Sequence, residues 1–284
     1  MSLKIAIQKS GRLSEDSIHL IKECGIHYNE AKNKLRCEAT NFPLEILFLR
    51  DDDIPGYVAD GVADIGIVGE NVLLEKQKRL DVVEPLGFGK CRLSLAIPKA
   101  DEYHGLQDLM NKDLATSYPN ILADFLGKHG IQANIHEISG SVEIAPSIGL
   151  ADAICDLVSS GGTLMSNGLK EVETVLKSQA VLIKNPALSA EKQAILNKLL
   201  FRIRSVLTAE NNKYILLNAP NEHLAKIISM LPGMKSPTVL PLATEGWSSV
   251  HSVIREDDFW DVIENLRSAG AQGILVVPIE KMIL

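Results

Sequence analysis

Three short, mostly apolar runs near the start of this 284-residue chain restrict its fold more than any other feature. Residues 3–7, 44–49 and 63–68 are apolar at nearly every position, and helix-like stretches separate them. A strand without a polar face is covered on both sides, and alternation with helices makes the sheet mostly parallel. The same grammar restarts at residues 92–97 and continues through 114–116, 134–137 and 153–158. The first two thirds of the chain therefore read as two α/β lobes with a cleft between them. Within them, a helix over 15–24 has Ser14 in place to cap it. Residues 172–183 read as one long strand returning the chain to the first lobe, and a helix over 190–207 leads outward. The last part differs. Strands at 213–218, 238–242, 247–254 and 273–279, with helices at 222–230 and 257–268, give the β-α-β-β-α-β order of a ferredoxin-like domain.

Several classes are set aside by composition. No stretch approaches the ~18 apolar residues of a membrane span, and the first ten residues lack the pattern of a secretory leader. Cys24, Cys37, Cys91 and Cys155 are scattered without metal-ligand spacing, which fits reduced thiols in a cytoplasmic protein. A net charge of −7 argues against a general nucleic-acid surface, so a polyphosphate ligand requires the cations to gather in one cleft.

The segment Asp156-Leu157-Val158-Ser159-Ser160-Gly161-Gly162-Thr163-Leu164 supplies the first candidate site. Its beginning completes a buried strand, and its end is a loop of small residues that leaves backbone N–H groups close together for an anion. Gly161 and Gly162 let the backbone approach without a Cβ, and Ser159, Ser160 and Thr163 add hydroxyl donors. Asp156 stands one step upstream, where it can accept from sugar hydroxyls. By itself such a loop also reads as an ordinary turn. In open parallel sheets, however, ligands sit beyond the carboxyl ends of the strands. Lys9, Ser10, Gly11 and Arg12 follow the first strand, Arg50 and Asp51 the next, and Glu70 and Asn71 a third. Gly140 through Glu143 follow a strand of the second lobe, and Lys90 and Arg92 fall near the crossing between lobes. These cations, two glycine-rich loops and several carboxylates are what a magnesium-bound sugar polyphosphate requires. Each piece has a plainer reading: Arg50 with Asp51, Asp52 and Asp53 also reads as a surface cluster capping the next helix, and Tyr118 reads as a purine-stacking ring or a rim tyrosine.

Gln8-Lys9-Ser10-Gly11-Arg12-Leu13, Arg50-Asp51-Asp52-Asp53-Ile54-Pro55 and Asp64-Ile65-Gly66-Ile67-Val68-Gly69-Glu70-Asn71 resemble the ATP phosphoribosyltransferase family of histidine biosynthesis. So do Gly140-Ser141-Val142-Glu143-Ile144-Ala145-Pro146, Asp152 through Gly161, and, in the last part, Leu231-Pro232-Gly233, Ser236-Pro237-Thr238-Val239 and Ile279-Glu280-Lys281. The resemblance covers essentially the whole chain. Its third domain is similar to that of the long, self-contained form, which needs no separate regulatory subunit.

The resemblance implies an α/β fold: a two-lobed, periplasmic-binding-protein-like catalytic core with a C-terminal ferredoxin-like regulatory domain. It places lobe I at 1–91 with 181–211, lobe II at 92–180 and the histidine-binding domain at 212–284. It implies attack of adenine N1 of ATP on ribose C1 of phosphoribosyl pyrophosphate (PRPP), with inversion and departure of pyrophosphate. Lys9, Arg12, Arg50, Arg92 and Asp156 are the implied catalytic residues. PRPP is assigned to Glu143, Asp156, Ser159, Ser160, Gly161, Gly162 and Thr163, and ATP to Ser10, Gly11, Leu13, Glu70 and Tyr118. Histidine is assigned to Met234, Ser236 and Thr238. Mg²⁺ is carried mainly by substrate phosphates, and a homo-oligomer, a hexamer with dimer forms, is implied. The competing expectations are a non-catalytic two-lobed binding protein and a regulatory subunit with decayed catalytic residues.

Overall fold

A computed structural model describes residues 2–29, 35–231 and 236–283. The chain divides into two compact units, Met1–Lys22 with Ile26–Leu196, and Glu23–Gly25 with Asn197–Leu284.

The first unit opens with β1 (Leu3–Gln8), α1 (Arg12–Glu23), β2 (Arg36–Glu38), β3 (Leu44–Leu49), α2 (Ile54–Ala59), β4 (Ile65–Gly69), α3 (Glu70–Lys76) and β5 (Asp81–Pro85). It continues with β6 (Cys91–Pro98), β7 (Asp113–Thr116), α4 (Pro119–Lys128), β8 (Asn134–Glu137), β9 (Ala153–Val158), α5 (Gly162–Ser166), β10 (Leu169–Ser178) and β11 (Ala180–Lys184), and α6 (Ala190–Glu210) begins in it. Two sheets result, ordered β2-β3-β1-β4-β11-β5 and β10-β6-β9-β7-β8. In the first, β3, β1 and β4 are parallel, while β11 joins β4 and β5 antiparallel. In the second, β9, β7 and β8 are parallel. The apolar runs are covered on both faces as expected: Ile5, Ile46, Ile65, Ile67 and Ile183 are at most 1% exposed. Each such side chain is worth about 1.5–3 kcal/mol of burial. Gly66 has a packing reason, since a Cβ there would stand 2.7 Å from Ile54 of α2.

Two local readings change. Helix α1 starts at Arg12 rather than near residue 15, because Gly11, at φ +95°, turns the chain and its carbonyl accepts from Glu15 N–H at 3.1 Å. Ser14 is therefore a buried helical residue, not a cap. The long strand expected over 172–183 is two strands divided at Gln179: β10 pairs with β6 in one sheet, and β11 pairs with β4 and β5 in the other. The break lies in a change of pairing partner at Gln179, which local hydropathy does not encode.

The second unit contains β12 (Asn212–Pro220), α7 (Leu224–Met230), β13 (Thr238–Pro241), β14 (Trp247–Arg255), α8 (Phe259–Ser268) and β15 (Gln272–Pro278). Its sheet is ordered β13-β14-β12-β15, every pair antiparallel, which is the ferredoxin-like arrangement. Ile215, Leu217, Val250 and Ile254 on the inner face pack with Ile227 of α7 and Leu266 of α8.

Candidate active site

Parallel pairing decides where the candidate side chains emerge. Because β1 runs alongside β3, Lys9 follows its strand where Leu49 and Arg50 end theirs, and Lys9 N–H donates to Leu49 O at 2.8 Å. Glu70 and Asn71 leave β4 at the same edge. Lys9, Ser10, Gly11, Arg12 and Arg50 are exposed there, Leu13 is half-buried, and Lys9, Arg12 and Arg50 enter no ion pair among the described residues. In the second sheet, β7, β8 and β9 deliver Tyr118, the 140–143 turn and the 159–163 loop to one edge. Gly161 stands at φ +81°, in the left-handed region where a side chain is strained, and the short α5 starts directly after it. The loop and the first turn of α5 keep N–H groups outside the helix's own ladder.

Arg92 ties this loop to its surroundings. Its Nε and Nη2 donate to the two carboxylate oxygens of Glu171 on β10, each at 2.5 Å, and Nη1 donates to Ser159 O at 3.2 Å. Ser94 Oγ also donates to Glu171, at 2.8 Å. The guanidinium and Ser94 hold the Glu171 carboxyl below its ordinary range, so the pair stays charged at neutral pH. Arg92 thus anchors the loop from behind as well as adding charge to the cleft. Glu70, Lys90, Cys91, Arg92, Ser159, Lys177, Ser178 and Gln179 line one cavity of about 390 Å³.

The carboxylates are perturbed. Burial pushes Asp156 up, helped by the charge of Glu143 and opposed by a bond from Leu157 N–H. Asp51 is lifted to about 6, chiefly by burial and next by Asp52, and its Oδ1 is buried without a hydrogen-bond partner. A raised folded-state pKa means stability that is present at low pH and lost as pH rises through about 6. Asp51→Asn is therefore expected to unfold about 1–3 kcal/mol later than the parent near pH 8, with the gap closing below about pH 4. Denaturant titrations at the two pH values check this.

Sequence reading did not supply Glu75, Glu171, Lys177, Ser178 or Gln179. Glu75, on α3, accepts from Asn120 N–H and Ile121 N–H at 3.0 Å each, capping α4 across the cleft. Buried at 7% exposure within a helix of mixed character, it gave no signal that its partner lay 45 residues away. Ser236 and Thr238 lie in the second unit, both exposed, with Thr238 opening β13; Met234 lies outside the described residues.

Fold and site together define a two-lobed α/β protein whose cleft gathers cations, an anion-receptive loop and carboxylates, followed by a small antiparallel domain. The family model described as ATP phosphoribosyltransferase matches residues 50–205, and that of the HisG C-terminal domain matches 209–281. The chain belongs to the ATP phosphoribosyltransferase family. It is 63% identical over 281 residues to the ATP phosphoribosyltransferase of Cytophaga hutchinsonii, covering 99% of this chain and 98% of that one. To that of Phocaeicola vulgatus it is 59% identical over 282 residues, covering 99% and 100%. Among solved structures it is similar to the ATP phosphoribosyl transferase (HisG:HisZ) complex of Thermotoga maritima, with TM-score 0.63 and 30% identity over 72% of this chain and 97% of that chain. The L-arginine-bound protein Tv2483 shares the two-lobed fold at TM-score 0.51 and 14% identity, over 74% of this chain and 86% of that one.

Proposed function

We propose that this chain catalyses the first step of histidine biosynthesis, joining adenine N1 of ATP to ribose C1 of PRPP and releasing pyrophosphate. The observation that carries the reading is the 159–163 loop, bound through Ser159 O to Arg92 and standing beside Asp156 at the mouth of a cationic cleft. Ser159, Ser160, Gly161, Gly162 and Thr163 hold the ribose 5-phosphate through backbone N–H and hydroxyl groups. Asp156, with Glu143 behind it, takes the ribose hydroxyls and faces the positive charge that grows at C1. Lys9, Arg12, Arg50 and Arg92 receive the phosphates of ATP and the departing pyrophosphate. Ser10, Gly11, Leu13, Glu70 and Tyr118 line the ATP side. Adenine N1 offers a free lone pair, so alignment and charge stabilisation provide the acceleration without a strong general base.

Among the described residues no three His, Cys, Asp or Glu side chains stand close enough to cage an ion. Mg²⁺ keeps much of its water and binds mainly through substrate phosphates, so it requires no protein cage. When bound it would supply positive charge to the pyrophosphate leaving group.

Residues 1–91 with 181–211 and residues 92–180 form the two catalytic lobes in this reading, and 212–284 the regulatory domain. Histidine binds the latter through Met234, Ser236 and Thr238 and inhibits turnover, within a cytoplasmic homo-hexamer that also forms dimers and needs no separate regulatory subunit. The partners are ATP, PRPP and histidine, with no nucleic acid or membrane. No helix among the described residues is long and apolar enough to cross a membrane. Pyrophosphate release that requires ATP and PRPP together tests the reaction. For the regulatory site, Thr238→Ala is expected to raise the histidine concentration for half-inhibition by about tenfold, the scale of one lost bond in a polar site, with the uninhibited rate unchanged. Equal inhibition of parent and variant would take Thr238 out of the site.

A further inference from the structure

Asn71, in the first turn of α3, is 4% exposed and belongs to a closed set of hydrogen bonds. Its backbone N–H donates to Ser178 Oγ at 3.1 Å, and the Ser178 hydroxyl donates to Asn71 Oδ1 at 2.9 Å. This exchange turns the amide oxygen toward Ser178 and leaves the amide NH₂ facing the other way. There Nδ2 donates to Tyr118 Oη at 3.1 Å. A Cβ on residue 69 would stand 2.4 Å from Asn71 Oδ1, so glycine at that position is what lets the amide lie there. Glu75, one turn further along α3, holds the N–H groups of Asn120 and Ile121. The same helix therefore holds the Tyr118 hydroxyl and, two and three residues further along the chain, the start of α4.

The direction of these bonds has a chemical result. The phenol oxygen already accepts from Asn71, so its own proton is left to be given elsewhere. The ring is half-buried, and the charges of Asp156, Asp51 and Asp52 reach it, which places it where carboxylates of both lobes converge. Burial pushes the phenol's pKa up, and the carboxylates add to the shift, so that proton is present throughout the neutral range.

We propose that Asn71 is a positioning residue that makes Tyr118 a hydrogen-bond donor to an acceptor atom of bound ATP, in addition to any stacking of the purine on its ring. The inference rests on the reading that Tyr118 faces ATP. An aspartate at position 71 has no proton to give and accepts the Tyr118 proton instead, so Asn71→Asp reverses the bond while keeping the shape.

Steady-state kinetics and calorimetric titration of the full-length protein with ATP, and separately with PRPP, test this. Tyr118→Phe and Asn71→Asp are each expected to weaken ATP binding and raise its KM by about three- to tenfold, the scale of one neutral hydrogen bond. The KM for PRPP is expected to stay near that of the parent, and the double variant to be no worse than the poorer single one. Ser178→Ala, which frees the amide to turn over, is expected to give a smaller rise in the same constant, and it carries the test if Asn71→Asp fails to fold. Loss in Tyr118→Phe with parental ATP affinity in Asn71→Asp and Ser178→Ala would overturn the inference and leave Tyr118 at the ATP site. Parental ATP affinity in Tyr118→Phe would overturn the placement of Tyr118 itself.

Discussion

Asp156→Ala is expected to lower kcat/KM by at least ~10²-fold, with most of the loss in kcat, because the carboxylate acts on charge that exists only as the bond to C1 breaks. Its position supports that role. It is half-buried in β9, next to the exposed Leu157, and its carboxyl is raised by burial with Glu143 adding to the shift. A carboxyl must be ionised to hold ribose hydroxyls as an acceptor and to offset positive charge. The acid limb of the kcat/KM profile is therefore expected above the ordinary carboxylate range, and Glu143→Gln is expected to move it to lower pH by removing one of the raising charges. Near-parental turnover in Asp156→Ala, measured with both substrates saturating and with each one limiting, would take the residue out of the mechanism.

The second large effect is at Arg92. Arg92→Ala is expected to lower kcat/KM by ~10²-fold or more, the scale of one preorganised electrostatic contact. Charge is only part of that loss. The guanidinium spans β6, Glu171 on β10 and the carbonyl of Ser159, so its removal also releases the loop that holds the 5-phosphate. The two contributions separate in Glu171→Gln, which keeps the positive charge in the cleft and weakens the anchor. That variant is expected to raise the KM for PRPP with little change in the KM for ATP. A parental KM for PRPP in Glu171→Gln, alongside an inactive Arg92→Ala, would assign Arg92 to charge alone.

The sequence carried the architecture because two-sided burial leaves a local trace. Runs such as Ile65-Gly66-Ile67-Val68 announce a central strand with no information from elsewhere in the chain. The ends of those strands, and with them Lys9, Arg50, Glu70 and the 159–163 loop, follow from the rule that ligands gather beyond the carboxyl edge of a parallel sheet. What stayed hidden was pairing at a distance. Glu171 reads as one more charge in an alternating strand; it stands opposite Ala96 in the ladder, and only the fold brings its carboxylate to the Arg92 guanidinium. Asn71 was visible as a residue at a strand end, but its bond to Ser178 joins positions 107 residues apart, which no local pattern encodes. The break at Gln179 escaped for the same reason.

The central claim is that this chain forms a covalent adduct of ATP at the loop that follows Asp156. Purified protein mixed with ATP, PRPP and Mg²⁺, with a pyrophosphatase to draw the reaction forward, is followed by mass, with and without histidine. The account predicts a product heavier than ATP by one phosphoribosyl group, suppressed by histidine and lost in Asp156→Ala. Folded protein that binds both substrates and yields no adduct would contradict it.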